Sequence, residues 1–243
     1  MDTPRITLII PMYNESGIIA DTAMALDKYM SENFDSYEIL FSDDGSKDGS
    51  ADIVRNLSLP CVKVVGYADN KGKGAAVRHA MLESRGEIVM FTDADLAYGT
   101  EVIKRAYDTL SGKDDAQILI GSRNLSDDGY EGYTFLRKLM SKAYIKVLCS
   151  MGGFKLSDSQ CGCKAFKSKA VREIFSRAKV DGFAFDFECI LWAQRFGFKI
   201  CEMPVKVINH RASTVHLFKD TLKMLKDVYK IRKRVKKESK TEK

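Results

Sequence analysis

The sequence predicts a single α/β domain in which a mostly parallel central sheet is flanked by helices. Apolar runs of strand length alternate with stretches of helical periodicity, which is the pattern of parallel strands joined by covering helices. The chain has 243 residues and is 45% hydrophobic, enough for one substantial core. No Pro- or Ser-rich linker and no internal repeat divides it, so we expect one domain.

Five strands are predicted in the first half of the chain, with helical patterns in the intervals between them. They are Ile6 to Pro11, Tyr37 to Ser42, Val62 to Tyr67, Glu87 to Thr92 and Ala116 to Gly121. After Gly121 the alternation breaks, and a polar loop precedes a second group of segments. These are a helix from about Thr134 to Ser150, an apolar run from Cys163 to Phe166, and helices near Lys169 to Ser176 and Phe185 to Phe196. We predict one domain over 1–216, with halves 1–121 and 122–216, followed by a C-terminal helix and tail over 217–243.

The net charge of +6 is concentrated at the C-terminal end. Residues 219–243 contain eleven Lys or Arg and four Asp or Glu. An apolar stripe at helical spacing predicts a basic amphipathic helix there; its residues are Phe218, Leu222, Leu225 and Tyr229, with Val228, Ile231 and Val235 slightly offset. Such a helix can lie on an anionic membrane, or it can pack on the domain and fray into a charged end. We expect no nucleic acid partner, because no recognition motif accompanies the basic residues.

The termini and the cysteines indicate the compartment. The first apolar stretch, Ile6 to Ile10, ends at Pro11, so we expect neither a signal peptide nor a transmembrane segment. The six cysteines lack the paired C-x-x-C spacing of metal sites, and we expect reduced thiols. These features predict a cytoplasmic protein, or one on the cytoplasmic face of a membrane.

The strand from Ile88 runs directly into Asp93-Ala94-Asp95. Two carboxylates at the carboxyl end of a strand lie where open α/β sheets bind ligands, and carboxylate oxygens suit Mg²⁺ or Mn²⁺ bound to a diphosphate. The alternative is that Asp95 caps a helix beginning near Gly99.

The loops after the other strands exclude the common nucleotide-binding motifs. The first strand ends in Pro11-Met12-Tyr13-Asn14-Glu15, not in the Gly-x-Gly-x-x-Gly of dinucleotide-binding folds, and there is no P-loop. The second ends in Asp43-Asp44-Gly45-Ser46, whose carboxylates can accept hydrogen bonds from a base or ribose. Gly72-Lys73-Gly74 follows the third and suits close approach by an anionic ligand.

Together and in this order, the four motifs resemble those of family 2 glycosyltransferases, which have the GT-A fold with a Rossmann-like sheet. Within that family, Asp158 to Phe166 and Phe185 to Glu188 look like segments of dolichyl-phosphate β-glucosyltransferases and of polyprenyl-phosphate glycosyltransferases. The resemblance implies that 1–121 binds a nucleotide sugar and that 122–216 binds the acceptor. Ser159 and Cys163 depart from the usual Thr and Phe of these segments.

The resemblance also implies roles for matching residues. The donor-binding set comprises Pro11, Tyr13, Glu15 and Asp44 around the nucleoside, and Gly72 and Lys73 along the base. Asp93 and Asp95 would bind Mg²⁺ or Mn²⁺ with the sugar diphosphate, and Asp186 takes the place of the catalytic carboxylate. The acceptor-phosphate set is Arg123, Arg137 and Ser141, since an arginine fork pairs well with phosphate. Gln160, as a substitute metal ligand, and Arg211, closing over the diphosphate, are further candidates.

The helix around Arg137 has a broad apolar face flanked by lysines, which fits a lipid chain and its phosphate as well as it fits core packing. We therefore expect an inverting, metal-dependent hexosyltransferase that moves glucose from UDP-glucose to a polyprenyl or dolichyl phosphate at a membrane surface, with or without a membrane-spanning partner protein. Three alternatives stay open. They are a family 2 enzyme acting on a glycan or lipid hydroxyl with Asp186 as base, a GDP-mannose-dependent polyprenyl-phosphate mannosyltransferase, and a membrane-recruited sugar-nucleotide-binding protein without turnover.

Overall fold

Strands and helices alternate along most of the chain in the computed structural model. The structure describes residues 3–113, 115–133, 135–209 and 217–241. Within these ranges it does not describe the side chains of 136, 137, 217–224 and 239–241. The strands are β1 (Ile6–Met12), β2 (Tyr37–Asp43), β3 (Val62–Gly66), β4 (Ile88–Phe91), β5 (Ala116–Ser122), β6 (Lys164–Lys167) and β7 (Lys199–Pro204). The helices are α1 (Ile19–Asn33), α2 (Ser50–Asn56), α3 (Lys73–Glu83), α4 (Glu101–Ser111), α5 (Phe135–Gly152), α6 (Ser168–Phe175), α7 (Phe185–Arg195) and α8 (Leu217–Thr241), with a 3-10 turn at Arg123–Leu125.

Within these ranges the strands form one sheet in the order β3-β2-β1-β4-β6-β5-β7. All neighbouring pairs are parallel except those of β6, which runs antiparallel to both β4 and β5. The predicted α/β class and the five predicted strands are confirmed. The sequence interpretation missed β7, an edge strand in which Lys199 and Glu202 interrupt the apolar residues.

The direction of the strands brings the loops of interest to one edge of the sheet. Parallel strands β1, β2, β4 and β5 end at this edge, and antiparallel β6 begins there, so that Lys164 pairs in register with Phe91 and Ile120. Residues that follow β2, β4 and β5 therefore lie near the start of β6. This is the edge at which open α/β sheets bind ligands.

Helices cover both faces of the sheet and bury two apolar clusters. Alternate residues of β1 point to opposite faces: Ile9 packs with residues of α3, α6 and α7, whereas Leu8 and Ile10 pack with residues of α1 and α4. Burial of each such side chain contributes roughly 1.5–3 kcal/mol. Because the sheet is packed on both faces, the ends of its strands hold the loops at the carboxyl edge in fixed positions.

The C-terminal helix α8 packs on the domain with its basic part. Val228, Ile231 and Val235 are buried in the same cluster as Trp192 of α7, whereas Tyr229 is 64% exposed. The inward face is thus formed by the three residues that are offset from the predicted apolar stripe. The side chains of Phe218 and Leu222, which belong to that stripe, are not among those the structure describes. Arg234 of α8 pairs with the fully buried carboxylate of Glu188. Of the helices that the structure describes, none has a stretch of the length and apolarity needed to cross a membrane.

Candidate active site

Asp93 and Asp95 follow β4 in a tight turn at the carboxyl edge of the sheet. The amide of Leu96 donates to the Asp93 carbonyl, and the amide of Ala97 donates to the Asp95 carboxylate, both at 3.1 Å. The Asn209 side chain donates to the carbonyl of Leu96 at 2.9 Å, which ties the turn to the segment after β7. The bond to Ala97 shows that Asp95 caps this turn; the capping position of α4 is Thr100.

The electrostatics of this turn favour a bound cation. Burial and the adjacent charge of Asp93 raise the pKa of Asp95, so the pair repels in its ionised form. The ammonium of Lys73 already contacts the Asp93 carboxylate and acts as a stand-in cation. No group of three or more His, Cys, Asp or Glu residues is arranged for a metal in the described part of the chain. Two carboxylates, with substrate phosphate and water, make a sufficient Mg²⁺ or Mn²⁺ site.

Asp44, which follows β2, has a different environment, because other protein groups satisfy its carboxylate. Tyr67 donates its hydroxyl at 2.7 Å and Asn70 its side-chain amide at 2.8 Å. The backbone amides of Lys71 and Gly72 donate at 2.9 and 2.8 Å. Asp44 is only 3% exposed, and it therefore shapes the loop from Tyr67 to Gly72 next to the predicted nucleoside position.

The loops after β1 and β2 are interlocked. The Asn14 amide donates to the Ser46 hydroxyl at 2.9 Å, and the Lys47 amide donates to the Asn14 side chain at 2.9 Å. Asn14 has φ of +54°, a conformation that asparagine tolerates better than most residues. This arrangement leaves the Tyr13 ring 45% exposed beside the half-buried Pro11 and Glu15. An exposed aromatic ring here can stack on a flat base.

Asp186 is buried in the first turn of α7 and pairs with the buried ammonium of Lys164 at 2.6 Å. Lys164 also donates to the Cys161 carbonyl at 2.6 Å. Burial raises the pKa of Asp186, and the charge of Lys164 opposes part of that rise. Asp186 and Glu188 are 8% and 0% exposed, so neither carboxylate faces solvent.

Gly162 connects this pair to the Asp93 turn. A Cβ atom at Gly162 would overlap the Asp93 carboxylate, so the chain passes this group at a distance that only glycine permits. The Gly162 amide donates to the Tyr98 hydroxyl at 3.3 Å. The flanking thiols of Cys161 and Cys163 are buried, and burial raises the pKa of Cys161 to about 11. They are therefore protonated thiols, and all six cysteines are unpaired.

The predicted acceptor residues form a second group, after β5. Arg123 binds the buried carboxylate of Asp158 through Nε at 2.7 Å and Nη2 at 3.1 Å, and its guanidinium lies over the Tyr130 ring. Ser141 of α5 is 3.4 Å from the Tyr130 hydroxyl. Gln160 is half-buried, and its backbone amide donates a hydrogen bond to the Asp158 carboxylate at 3.1 Å. The Arg137 side chain and all of Arg211 lie outside the described residues.

Four of the predicted donor and metal residues are joined in a series of contacts, from Asp44 through Gly72 and Lys73 to Asp93. A sequence model described as "Glycosyl transferase family 2" matches residues 7–175, which include all of these positions. The chain belongs to glycosyl transferase family 2.

Relatives of this family 2 glycosyltransferase cover most of its length. It is 30% identical to the dolichyl-phosphate beta-glucosyltransferase of Dictyostelium discoideum, over 96% of this chain and 75% of the relative. The human protein of the same name is 30% identical over 96% of this chain and 76% of that one. A third, ALG5C of Trichomonas vaginalis, is 33% identical over 82% of this chain. The chain spans only 63% of that relative's length.

Solved structures share the fold of this glycosyltransferase at low sequence identity. Glucosyl-3-phosphoglycerate synthase from Mycobacterium tuberculosis, in complex with UDP, has a TM-score of 0.71 at 17% identity, over 94% of this chain and 80% of that one. Mannosyl-3-phosphoglycerate synthase from Rubrobacter xylanophilus has a TM-score of 0.67 at 17% identity, over 98% and 75%. These similarities establish the GT-A architecture.

Sequence reasoning missed three residues of the candidate site. Lys164, Gly162 and Asn209 contact Asp186, Asp93 and the turn after Asp95. Lys164 and Gly162 lie in the Asp158 to Phe166 segment, so the signal was present in a motif already singled out. Lys73 was expected along the base, whereas its ammonium contacts Asp93. A contact with the base stays a prediction.

Proposed function

We propose that this glycosyltransferase transfers glucose from UDP-glucose to dolichyl phosphate or a related polyprenyl phosphate, with inversion at the sugar. The observation that carries the proposal is the carboxylate pair after β4, Asp93 and Asp95, with a cation already in contact with Asp93. The names of the relatives support the choice of glucose and of a dolichyl-phosphate acceptor.

Asp93 and Asp95 would bind Mg²⁺ or Mn²⁺ together with the donor diphosphate. The ion, when bound, supplies Lewis-acid stabilisation of the departing nucleoside diphosphate. Mycobacterial structures of the same fold contain Mn²⁺ with UDP-glucose and Mg²⁺ with UDP. Tyr13 would stack on the base, with Pro11, Glu15 and the loop shaped by Asp44 around the nucleoside.

The acceptor side supports a phosphate nucleophile. Arg123, Arg137 and Ser141 would bind the lipid phosphate, with Arg123 held in place by Asp158. A phosphate monoester oxygen is anionic near neutral pH, so the enzyme needs chiefly to align it and to stabilise charge. The second candidate is transfer to a hydroxyl. The buried Asp186 favours it, because a carboxylate with a raised pKa suits a general base.

A surface of α5 supports attachment to the cytoplasmic face of a membrane. Phe135, Leu139 and Val147 are 81%, 55% and 42% exposed and recur at helical spacing, with the exposed Lys142 and Lys146 on the same face. The sequence of α5 contains no acidic residue. Apolar contact and attraction to anionic lipid therefore act together here. The unpaired cysteines also fit a reducing compartment.

Co-sedimentation with vesicles of neutral and anionic lipid tests this surface. We expect binding of the purified chain to anionic vesicles, and at least tenfold weaker binding after Leu139→Glu. Met24→Glu, at a similarly exposed apolar position on α1, is the matched control and should leave binding within twofold. If the wild-type chain binds neither neutral nor anionic vesicles, this surface of α5 does not attach the protein to lipid.

A donor and acceptor screen tests the reaction. Nucleotide release is measured from UDP-glucose and from GDP-mannose, with a short polyprenyl phosphate, with the corresponding alcohol and with no acceptor. We expect release of UDP that depends on the lipid phosphate and on Mg²⁺ or Mn²⁺. Release of GDP instead would indicate the mannosyltransferase, and turnover with the alcohol would indicate a hydroxyl acceptor. Donor binding without turnover under every condition would indicate a binding protein.

A further inference from the structure

Lys73 is placed by the backbone to reach the Asp93 carboxylate. It is the first residue of α3, and Gly72 before it has φ of +115° and lies against the Asp181 carbonyl, where a side chain would not fit. The two Gly72-to-Asp44 bonds and the packing of Gly74 on the Val180 carbonyl fix this turn. The start of α3 is therefore rigid, and the Lys73 side chain extends from it to Asp93.

The Lys73 ammonium faces mainly negative charge. Asp93, Asp95 and Asp186 all act on it, and Glu15 acts on Asp95. Lys164, the neighbouring cation, is committed to Asp186 and to the Cys161 carbonyl. Among the described residues, Lys73 is thus the cation that contacts the proposed metal-binding pair. Its side chain is 26% exposed and that of Asp93 is 31% exposed, so both are open to an incoming ligand.

A divalent ion alone and a divalent ion with a nucleotide would affect Lys73 in opposite ways. A lone ion must compete with the ammonium for Asp93 and is repelled by it. A nucleoside diphosphate brings negative charge, with which the displaced ammonium can pair. The same side chain would therefore weaken the first binding event and strengthen the second.

We propose that Lys73 is a tethered counterion that covers Asp93 in the empty enzyme and transfers to the donor diphosphate when metal and nucleotide bind together. The inference rests on the metal site of the proposed function. It makes Lys73 a residue that selects the metal–nucleotide complex over the free ion, so that the two ligands bind with positive coupling.

Binding of Mn²⁺ to the full chain, measured by electron paramagnetic resonance and calorimetry with and without UDP, tests the inference. In Lys73→Met we expect Mn²⁺ alone to bind about tenfold tighter, and UDP in saturating Mn²⁺ to bind about tenfold weaker, each corresponding to about 1.4 kcal/mol. Lys63→Met is the matched control. It removes the same charge from an exposed position of the edge strand β3 and should change both constants less than twofold.

The outcomes separate this inference from the proposed function. If wild-type protein binds Mn²⁺ neither alone nor with UDP, the metal site itself is wrong. If wild-type protein binds the Mn²⁺–UDP complex but Lys73→Met shifts both constants in the same direction, or neither, only the counterion role is refuted. If Lys73→Met fails to fold, the same two binding constants are measured on Lys73→Gln, which removes the charge but keeps a hydrogen-bond donor for Asp93.

Discussion

Asp44 and Asp93 stand at the same edge of the sheet, at the ends of strands on either side of β1, yet their carboxylates contact different partners. Asp44 is 3% exposed and accepts hydrogen bonds from four residues of the loop after β3. The Asp93 side chain is 31% exposed, with one lysine on it and a second carboxylate two residues away. Asp44 thus uses its charge to shape the protein, whereas Asp93 keeps most of its capacity for a ligand.

The comparison predicts that removing charge at the Asp93 turn harms activity without harming the fold. Asp95→Asn should reduce nucleotide release about 10³-fold, because half of the proposed metal site is lost. Its free energy of unfolding should be equal or higher, by up to about 2 kcal/mol, since the repulsion with Asp93 disappears. Enzyme assay and urea unfolding measure the two effects, with the exposed Asp21→Asn as control. Full activity of Asp95→Asn would refute the metal role.

At Asp44, in contrast, removing the carboxylate should lower the free energy of unfolding. Asp44→Ala removes the acceptor for the amides of Lys71 and Gly72 and for the Tyr67 hydroxyl, so we expect the free energy of unfolding to fall by about 3 kcal/mol. Urea unfolding measures this loss. The exposed Asp69→Ala, in the same loop, should change it by less than about 0.5 kcal/mol. A small change in Asp44→Ala would show that the loop does not depend on the carboxylate.

The contrast between these two aspartates also marks what the sequence could predict. The α/β class, five strands and the position of Asp93 and Asp95 after a strand follow from local patterns, namely apolar periodicity and the abrupt change to carboxylates. The saturation of Asp44 depends on amides 27 and 28 residues away, and no periodicity reports such contacts. The Lys164–Asp186 pair depends on β6 running antiparallel beside β4, a direction that strand length and composition do not encode.

Which face of α8 turns inward could not be predicted from the sequence, for a related reason. The sequence indicates an apolar stripe through Phe218, Leu222, Leu225 and Tyr229 and leaves open whether the helix packs on the domain or lies on a membrane. In the structure Val228, Ile231 and Val235 are buried, and Arg234 compensates the buried Glu188. The same face carries Arg234, which pairs with the buried Glu188 of α7, and a partner on another element cannot be read from the helix itself.

Gly162 lies so close to Asp93 that a substitution at this glycine should change kcat by an intermediate amount. Gly162→Ala should lower kcat about 10²-fold, because the added Cβ displaces the carboxylate from its position. Gly17→Ala is the matched control, since no atom lies within 4 Å of its added Cβ, and it should be near wild type. A Gly162→Ala enzyme with normal kcat and normal Mn²⁺–UDP binding would show that Asp93 need not hold the position seen here.

Asp186→Asn should have the smallest effect if the acceptor is a phosphate. The Asn oxygen can still accept the Lys164 hydrogen bond, and an anionic acceptor oxygen needs no base. The buried ammonium loses its counterion, so the cost should fall mainly on stability. We expect a loss of less than tenfold in release of UDP with lipid phosphate. A hydroxyl acceptor would instead require proton removal, and the same substitution would then cost about 10²–10⁴-fold. Because the wild type and Asp186→Asn can be assayed with both acceptors in one experiment, the size of this loss assigns Asp186 either to charge placement or to general-base catalysis.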